Sequence, residues 1–229
     1  GKGSKCECGN YRGISLLCVV GKLYGRVLIR ISEATDSAIG EEQCGFRSGR
    51  GCVDQIFVVR QICEKVIERD REVHMAFMDL EKAYDRVDRR ALWQVLRLYG
   101  VGGRLLRGMQ SFYDCSRACV RMCGGVSGMF DVRVGLRQGG VMSPWLFNLF
   151  MDGVVREVNA RVLGCGVQMW FQGNAWRVNQ VLFADDTALI ASSESELRMI
   201  VEEYGRVCER RKLSVNVGKS KVMKCATEM

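Results

Sequence analysis

The sequence of 229 residues is poor in two residue types, with a single histidine, His74, and a single proline, Pro144. One histidine leaves the twelve cysteines without the second ligand type that most zinc sites use. The close groups of cysteines also lack zinc-ligand spacing: Cys6 with Cys8, and Cys115 with Cys119 and Cys123. A zinc site is therefore not expected.

The sequence also lacks the segments that direct a chain into or across a membrane. No apolar run approaches the ~20 residues that a transmembrane helix needs. The start has neither an initiator methionine nor the apolar core of a signal peptide, so we expect a fragment of a longer reading frame with no membrane contact. Disulfide frameworks belong to small secreted domains. The cysteines are therefore interpreted as reduced thiols of an intracellular protein, nuclear or cytoplasmic.

Positive charge, in contrast, is in excess. The chain has 34 Lys and Arg against 26 Asp and Glu, a formal net charge of +8. Basic side chains displace condensed counterions from phosphates and gain affinity, so this balance favours a nucleic-acid partner. A basic, well-solvated surface with no such role is the alternative that the charge alone leaves open.

Hydrophobic periodicity predicts a mixture of helices and strands. The predicted helices lie at about residues 14–31, 54–69, 88–99, 103–113, 143–162 and 193–212. The predicted strands lie at about residues 73–78, 117–122, 130–136, 167–172, 176–183, 187–191 and 214–224. Capping signals are Ser143 before Pro144, and Ser193 with Glu196 as a capping box. Because no regular βαβ alternation is present, the predicted fold class is α+β with antiparallel strands.

Acidic residues stand at the ends of two predicted strands. Asp185 and Asp186 join two apolar strands, and Asp79 ends another. An ordinary hairpin turn is the simple interpretation of the pair. However, two adjacent like charges raise each other's pKa unless a cation lies between them. If the strands are neighbours, the three carboxylates converge as hard oxygen ligands for Mg²⁺, and two such ions serve in-line phosphoryl transfer.

The sequence resembles the reverse transcriptase domain of non-LTR (LINE-type) retrotransposons along nearly its whole length. The aromatic-Ala-Asp-Asp signature of that family is matched by Phe183-Ala184-Asp185-Asp186. Five further motifs occur in family order, at residues 10–17, 43–50, 77–85, 135–144 and 213–221. Six motifs in the family's order identify this family far more specifically than the Ala184-Asp185-Asp186 triplet alone.

The resemblance implies a role for each matching residue. Catalysis and metal binding fall to Asp79, Asp185 and Asp186, with the main-chain carbonyl of Leu80 as a further metal ligand. Tyr84 would close against the sugar 2′ position and select deoxynucleotides, with core packing as the alternative. The remaining substrate contacts are Gln138 and Gly139 for the incoming nucleotide, Arg47 and Arg50 for phosphate, and Lys219 or Lys221 as general acid.

For the residues expected to contact the substrate, simpler interpretations stay open. Gln138 and Gly139 would form an ordinary turn, Arg47 and Arg50 would be solvated loop arginines, and the lysines would line a solvated strand edge. Gly13 and Gly140 depart from the residues that the family often carries, and both departures are expected to be tolerated.

The resemblance also implies an architecture and a set of partners. Fingers are expected at residues 1–72, and a palm with interspersed fingers elements at residues 73–229, its antiparallel sheet backed by helices. A thumb would follow the motif at residues 213–221, and we expect the chain to lack it. The implied partners are two Mg²⁺ ions, with Mn²⁺ as a substitute, an RNA template, a DNA primer and dNTPs; the oligomeric state is open. Alternative hypotheses are an inactive remnant that only binds nucleic acid, and a palm enzyme that makes RNA.

Overall fold

A computed structural model describes residues 4, 6–7, 10–11, 13–122, 124–171 and 173–226. Its helices are α1 (Val19–Leu28), α2 (Ser32–Asp36), α3 (Cys52–Ile67), α4 (Ala83–Arg86), α5 (Arg89–Leu98), α6 (Gly103–Tyr113), α7 (Ser143–Asn159) and α8 (Glu194–Arg210). A 3₁₀ turn, Ile29–Ile31, joins α1 to α2. No helix in these ranges is both long enough and apolar enough to span a bilayer.

The strands are β1 (Val73–Met78), β2 (Arg117–Ala118), β3 (Arg121–Met122), β4 (Gly125–Val126), β5 (Phe130–Asp131), β6 (Val167–Phe171), β7 (Asn174–Val178), β8 (Gln180–Phe183), β9 (Asp186–Ala191) and β10 (Lys221–Cys225). Four of them form the central sheet in the order β10-β1-β9-β8, with antiparallel neighbours. The others pair as two-stranded ribbons: β2 with β5, β3 with β4, and β6 with β7.

The central sheet is covered on both faces. Alternating residues of β1 divide between two hydrophobic cores, because successive side chains point to opposite faces of a strand. Ala76 and Met78 belong to the larger core, which α5, α6, α7 and α8 complete. Val73 and Met75 belong to the smaller core, which α3 closes with Ile62. The sheet is therefore a buried platform, which suits a rigid support for a site at one of its ends.

Helix α7 is the centre of the larger core. It is apolar around most of its circumference, which is typical of a helix buried inside a protein. Four of its large side chains are fully buried: Leu146, Phe147, Leu149 and Phe150 at 0% exposure. The predicted proline at the helix start is confirmed, but Ser143 is not the N-cap. Met142 takes that place, and the Ser143 hydroxyl donates instead to the carbonyl of Arg137 at 2.6 Å.

Most other elements follow the sequence-based predictions, with several differences. The strand predicted at 176–183 is divided between β7 and β8, which belong to different sheets, and the strand predicted at 214–224 begins only at Lys221. The helix predicted at residues 14–31 is interrupted, since α1 ends at Leu28 and a 3₁₀ turn precedes α2. The strands predicted at 117–122 and 130–136 are only two-residue pairs. Ser193 caps α8 through the amide of Glu196, but the Glu196 carboxylate accepts from Ser192 rather than closing the predicted capping box.

Candidate active site

The acidic strand ends meet at one end of the central sheet. Strands β8 and β9 form a hairpin whose last pair is Phe183 with Asp186, so Ala184 and Asp185 form its two-residue turn. On the other side of β9, the last pair with β1 is Met78 with Thr187. One step further along this antiparallel register places Asp79 opposite Asp186, on the same face of the sheet. The predicted adjacency of the acidic strand ends is confirmed.

Asp79 is held through its backbone by the segment at residues 214–220. Its carbonyl accepts from the Asn216 amide at 2.8 Å, and its own amide donates to the Ser220 hydroxyl at 3.2 Å. The side chain is a third exposed, yet its Oδ2 is buried and has no hydrogen-bond partner. The nearest cation is the Lys219 ammonium, whose Nζ lies 3.6 Å from Oδ2. A buried, unbonded carboxylate oxygen of this kind suits a cation.

The segment at residues 213–221 therefore packs along the segment at residues 77–85. Leu80 forms an isolated antiparallel bridge with Val215. The hydrogen bonds of this bridge are made by the residues on either side of Leu80. The Glu81 amide donates to the Ser214 carbonyl at 2.8 Å, and the Asp79 carbonyl accepts from the Asn216 amide. In such a pair the main-chain groups of Leu80 itself point away from Val215. They point toward the side of β1 on which β9 lies.

The turn at Ala184 is held by a buried glutamine from another part of the chain. Ala184 has φ 59°, a left-handed conformation that costs a residue other than glycine about 1 kcal/mol. The amide of Gln43, at 1% exposure, accepts from the Ala184 N–H at 2.9 Å and donates to the Ala184 carbonyl at 3.1 Å. Its Oε1 also accepts from the Gly45 amide at 2.8 Å. Gln43 thereby fixes both polar groups of the turn residue.

Gly45 completes this contact. A β-carbon at position 45 would lie 2.3 Å from the Ala184 nitrogen, closer than real contacts allow. Only glycine therefore lets the loop approach the acidic turn. Sequence analysis included both residues in a motif but gave neither a role. Gln43 contacts a residue 141 positions away, and hydrophobic periodicity does not report such a pairing.

Tyr84 lies between two aromatic rings beside the acidic turn. Its ring stacks on Phe147 at a centroid distance of 4.2 Å and meets Phe46 edge-on at 6.3 Å. The Tyr84 hydroxyl is buried and has no hydrogen-bond partner among the described residues. Burial, and after it the negative charge of Asp185, raises the pKa of Tyr84 above its usual value. The Tyr84 hydroxyl therefore lies within electrostatic range of the turn.

A second tyrosine supports the same turn from the larger core. Tyr204 is fully buried on α8, and its hydroxyl lies 3.2 Å from the Thr187 hydroxyl. Burial raises the pKa of Tyr204, with smaller contributions that include the charge of Asp185. The charge of Asp185 thus acts on the hydroxyls of both tyrosines. Sequence analysis did not single out Tyr204, whose helical spacing indicates only a core residue.

The glycine-rich loop at residues 135–139 packs against the segment that carries Tyr84. The Leu136 amide donates to the Tyr84 carbonyl at 2.8 Å, and Gln138 Nε2 donates to Asp85 Oδ1 at 3.1 Å. Gly139 has φ 91° and is exposed, and a β-carbon at this position would fit only tightly, 3.3 Å from the Ser15 carbonyl. Gln138 and Gly139 are therefore on the same side of the molecule as Tyr84.

The two predicted phosphate ligands of the 43–50 loop have different surroundings. The Arg47 side chain is 3% exposed and binds the Asp36 carboxylate with two nitrogens, at 3.1 and 3.2 Å. It also donates to the carbonyls of Gly40, Gln43 and Asp36. Arg47 is thus neither a solvated loop arginine nor free to bind phosphate, and it anchors the loop instead. Arg50 is partly exposed and pairs with the exposed Glu41 at 2.6 Å, so it stays accessible.

The metal-binding prediction is supported by some features of the site. The donors are hard carboxylate oxygens, and Asp79 Oδ2 is an unbonded acceptor. Across the part of the chain that the structure describes, however, no three His, Cys, Asp or Glu side chains are grouped closely enough to hold an ion. The strand register brings the acidic positions together, whereas the side chains are not arranged as a finished metal site.

Comparison with solved structures identifies the class of fold. The chain superposes on apo telomerase of Candida tropicalis, truncated from its C-terminal domain, with a TM-score of 0.65 over 89% of this chain and 41% of the telomerase, at 13% identity. Telomerase of Candida albicans, solved with a fragment of telomeric RNA, gives 0.59 over 92% and 34%, also at 13% identity. The helices and antiparallel sheet therefore have a reverse transcriptase/telomerase-like fold.

Sequence comparison then gives the family. Residues 2–228 match the family model described as reverse transcriptase (RNA-dependent DNA polymerase), and the chain belongs to that family. A protein of the type-1 retrotransposable element R1DM of Drosophila melanogaster is 30% identical over 207 residues, 88% of this chain and 18% of that protein. The polymerase of the mobile element jockey from Drosophila funebris is 25% identical over 226 residues, 93% of this chain and 23% of that protein.

A third relative is the polyprotein of the type-2 element R2DM of Drosophila melanogaster, 29% identical over 70% of this chain and 15% of its own length. The resemblance to non-LTR retrotransposon reverse transcriptases is confirmed. The chain spans only 15–23% of the length of these three relatives.

Proposed function

We propose that this chain is an RNA-directed DNA polymerase core, which transfers a nucleotide from a dNTP to a primer 3′-hydroxyl on an RNA template. The observation that carries the proposal is the register that sets Asp79 opposite Asp186, beside the turn residue Asp185. The partly exposed Asp79 keeps a buried oxygen without a hydrogen bond. A stable protein rarely keeps an unbonded buried carboxylate oxygen without a functional reason.

Divalent cations, Mg²⁺ or Mn²⁺, belong to this proposal. Asp79, Asp185 and Asp186 would hold two ions, and the Leu80 carbonyl, which points away from Val215, would add a main-chain oxygen. When bound, such ions stabilise the attacking and leaving oxygens of an in-line phosphoryl displacement. The protein contributes the rigid turn, because Gln43 and Gly45 fix the conformation of Ala184.

Residues around the acidic turn would orient the nucleotide. Tyr84 would limit space at the sugar 2′ position, since its ring is fixed by the Phe147 stack. Gln138 and Gly139, on the same side of the molecule, would line the base and sugar. Arg50 is the accessible arginine of its loop and the better candidate for the triphosphate. Lys219 would protonate the leaving pyrophosphate, because it is the lysine nearest Asp79.

The same proposal divides the chain into fingers at residues 1–72 and a palm, with interspersed fingers elements, from residue 73 onward. The central sheet and its helices would form the palm. The contact of Gln43 with Ala184 would then join the two parts at the active site. An RNA template and a DNA primer would lie at the end of the sheet that bears Asp79 and Asp186.

Primer extension by the purified chain on an RNA template tests the proposal. DNA synthesis should require Mg²⁺, stop with EDTA and fall to background in Asp185→Ala. Asp114→Ala is the matched control, since Asp114 is an exposed carboxylate at the end of α6. Equal synthesis by Asp185→Ala and wild type would contradict the assignment. A folded chain that binds RNA but incorporates no nucleotide would favour a protein that only binds nucleic acid.

Sugar selection distinguishes DNA synthesis from RNA synthesis. Tyr84→Ala should raise incorporation of rNTPs relative to dNTPs by about tenfold, because the ring would no longer exclude a ribose hydroxyl. Tyr84→Phe is the control, since it keeps the ring and its stack on Phe147. A wild-type preference for rNTPs would instead indicate an RNA-synthesising palm enzyme.

A further inference from the structure

A basic cleft opens between the end of α3 and the β6–β7 ribbon. Four of its lining residues are basic, namely Lys65, Arg69, Arg71 and Arg177, and we call it the arginine cleft. The cleft has a volume of about 170 Å³. Its lining also includes Glu72, which directly precedes β1, whereas Asp79 directly follows that strand. Six strand residues separate the ends by about 20 Å, so the cleft is distinct from the acidic turn.

The lining of the arginine cleft has four basic residues and one acidic residue, Glu72, which pairs with Lys224 at 2.6 Å. Of the acids near it in sequence, Glu68 pairs with Lys65 at 2.8 Å, and Asp70 lies between Arg69 and Arg71. Within the described ranges, the three arginines of the cleft form no ion pair. Arg177 donates to the Gly166 carbonyl at 3.2 Å and is otherwise exposed. Exposed guanidinium groups grouped in this way suit a ligand with several phosphates.

The ribbon beside the cleft carries exposed aromatic rings. Trp176 is 63% exposed and pairs across the ribbon with Met169, which lines the cleft, so these two side chains lie on the same face. Trp170 on the other strand is 58% exposed. Unpaired bases stack on such rings with little regard to sequence, while neighbouring arginines bind the phosphates between them. A single-stranded nucleic acid offers both phosphates for the arginines and unpaired bases for the exposed ring.

We propose that the arginine cleft binds the sugar-phosphate backbone of single-stranded RNA, with Trp176 stacking on a base. The site would hold a part of the RNA that is not being copied, because it lies at the far end of the sheet from Asp79 and Asp186. Its role would be to increase the residence time of the template on the chain. Binding here does not depend on nucleotide incorporation, so it is tested separately from the polymerase proposal.

Fluorescence anisotropy of a labelled oligouridylate tests the proposal, with a saturating unlabelled primer–template present whose template overhang is too short to reach the cleft, so that only the polymerase site is occupied. Arg69→Gln combined with Arg71→Gln should weaken binding about tenfold or more. It should also lower the slope of log affinity against log salt by about 1.4, since each lost phosphate contact removes about 0.7 for a single strand. The matched control is Arg104→Gln with Arg107→Gln, two exposed arginines of α6. This control should bind as the wild type does.

Tryptophan quenching tests whether Trp176 stacks on a base, and competition by polyglutamate tests whether the cleft prefers RNA to other polyanions. Trp176→Leu should remove most of the tryptophan quenching caused by the oligouridylate and weaken its binding, while Trp170→Leu serves as the comparison on the opposite strand. Equal affinities of the cleft variant and the α6 control would overturn the proposal. Displacement of the RNA by polyglutamate at equal charge concentration would overturn it too, because the cleft would then be a general polyanion site.

Discussion

Two loops approach the acidic turn, and they differ in how their polar side chains are used. In the loop at residues 43–50, Gln43 and Arg47 are both buried and bonded within the protein. In the loop at residues 214–220, the Asn216 amide and the Ser220 hydroxyl hold the backbone of Asp79, and the Lys219 side chain is left 66% exposed beside it. The first loop therefore supports the site, whereas the second leaves a solvent-exposed cation at it.

This difference shows why residue type alone is a poor guide to a role in phosphate binding. Arg47 and Lys219 are both basic residues in motif loops, and sequence analysis assigned both to the substrate. A guanidinium has five donors in a planar fork, so it can bind a carboxylate and several carbonyls at once. An ammonium on a flexible stem loses more by burial and is more often left in solvent. The side chain better suited to bind phosphate is also the better internal anchor.

The largest effect should come from removing that anchor. Arg47→Met leaves the Asp36 carboxylate and three carbonyls without their donor, and should lower the free energy of unfolding by about 2–3 kcal/mol. Arg50→Met in the same loop removes only the pair with exposed Glu41 and should change it by less than about 0.5 kcal/mol. Urea denaturation of the three proteins measures both values. Equal stability of the two variants would mean that Arg47 does not anchor the loop.

Gln43→Met should have the next largest effect, on both stability and activity. The variant fills the same space but leaves the Ala184 amide and carbonyl unpaired, a cost of about 2 kcal/mol. Loss of the clamp should also reduce kcat about tenfold, because the turn that carries Asp185 is no longer fixed. Gln55→Met is the control: its buried amide bonds the carbonyls of Glu42 and Leu182 but not the turn. It should lose stability while kcat is retained.

How far the sequence specifies this region depends on the range of the interactions. β1 is predicted to the residue, since Val73–Met78 is an apolar run that ends at a charged residue. The adjacency of Asp79 and Asp186 was expected from acidic residues at two strand ends, and the register confirms it. Both features follow from local hydrophobic pattern and the geometry of strands.

The contacts that support the turn could not be found in this way. Gln43 reaches Ala184 across 141 residues, and Arg47 reaches Asp36, the last residue of α2, which lies outside the predicted helices and strands. Neither pairing leaves a periodic signal. The same holds for Tyr204, whose contact with Thr187 joins a helix to a strand. Long-range polar contacts decide which motif residues face the substrate and which support it, and only the folded chain reveals them.

Lys219→Met should reduce activity without a change in stability. The side chain is largely exposed and lies 3.6 Å from Asp79, so its loss should alter the free energy of unfolding by less than about 0.5 kcal/mol. If it donates the proton to pyrophosphate, kcat should fall about tenfold or more while KM for the primer is retained. The control is Lys221→Met, because Lys221 is the lysine of β10 that pairs with Phe77 of β1. A greater loss of kcat in that control would reverse the choice between the two lysines.

The smallest effect on activity should come from Ser220→Ala, which tests whether the Ser220 hydroxyl positions the backbone of Asp79. The Ser220 hydroxyl accepts from the Asp79 amide at 3.2 Å and donates to the Asn216 carbonyl at 2.9 Å, so it ties the two ends of the loop to the acidic residue. Its loss should lower the free energy of unfolding by about 1 kcal/mol and raise the Mg²⁺ concentration needed for half-maximal synthesis severalfold. Ser111→Ala, at an exposed position on α6, should change neither quantity. A lower kcat at unchanged Mg²⁺ dependence would mean that the loop acts on Lys219 rather than on Asp79.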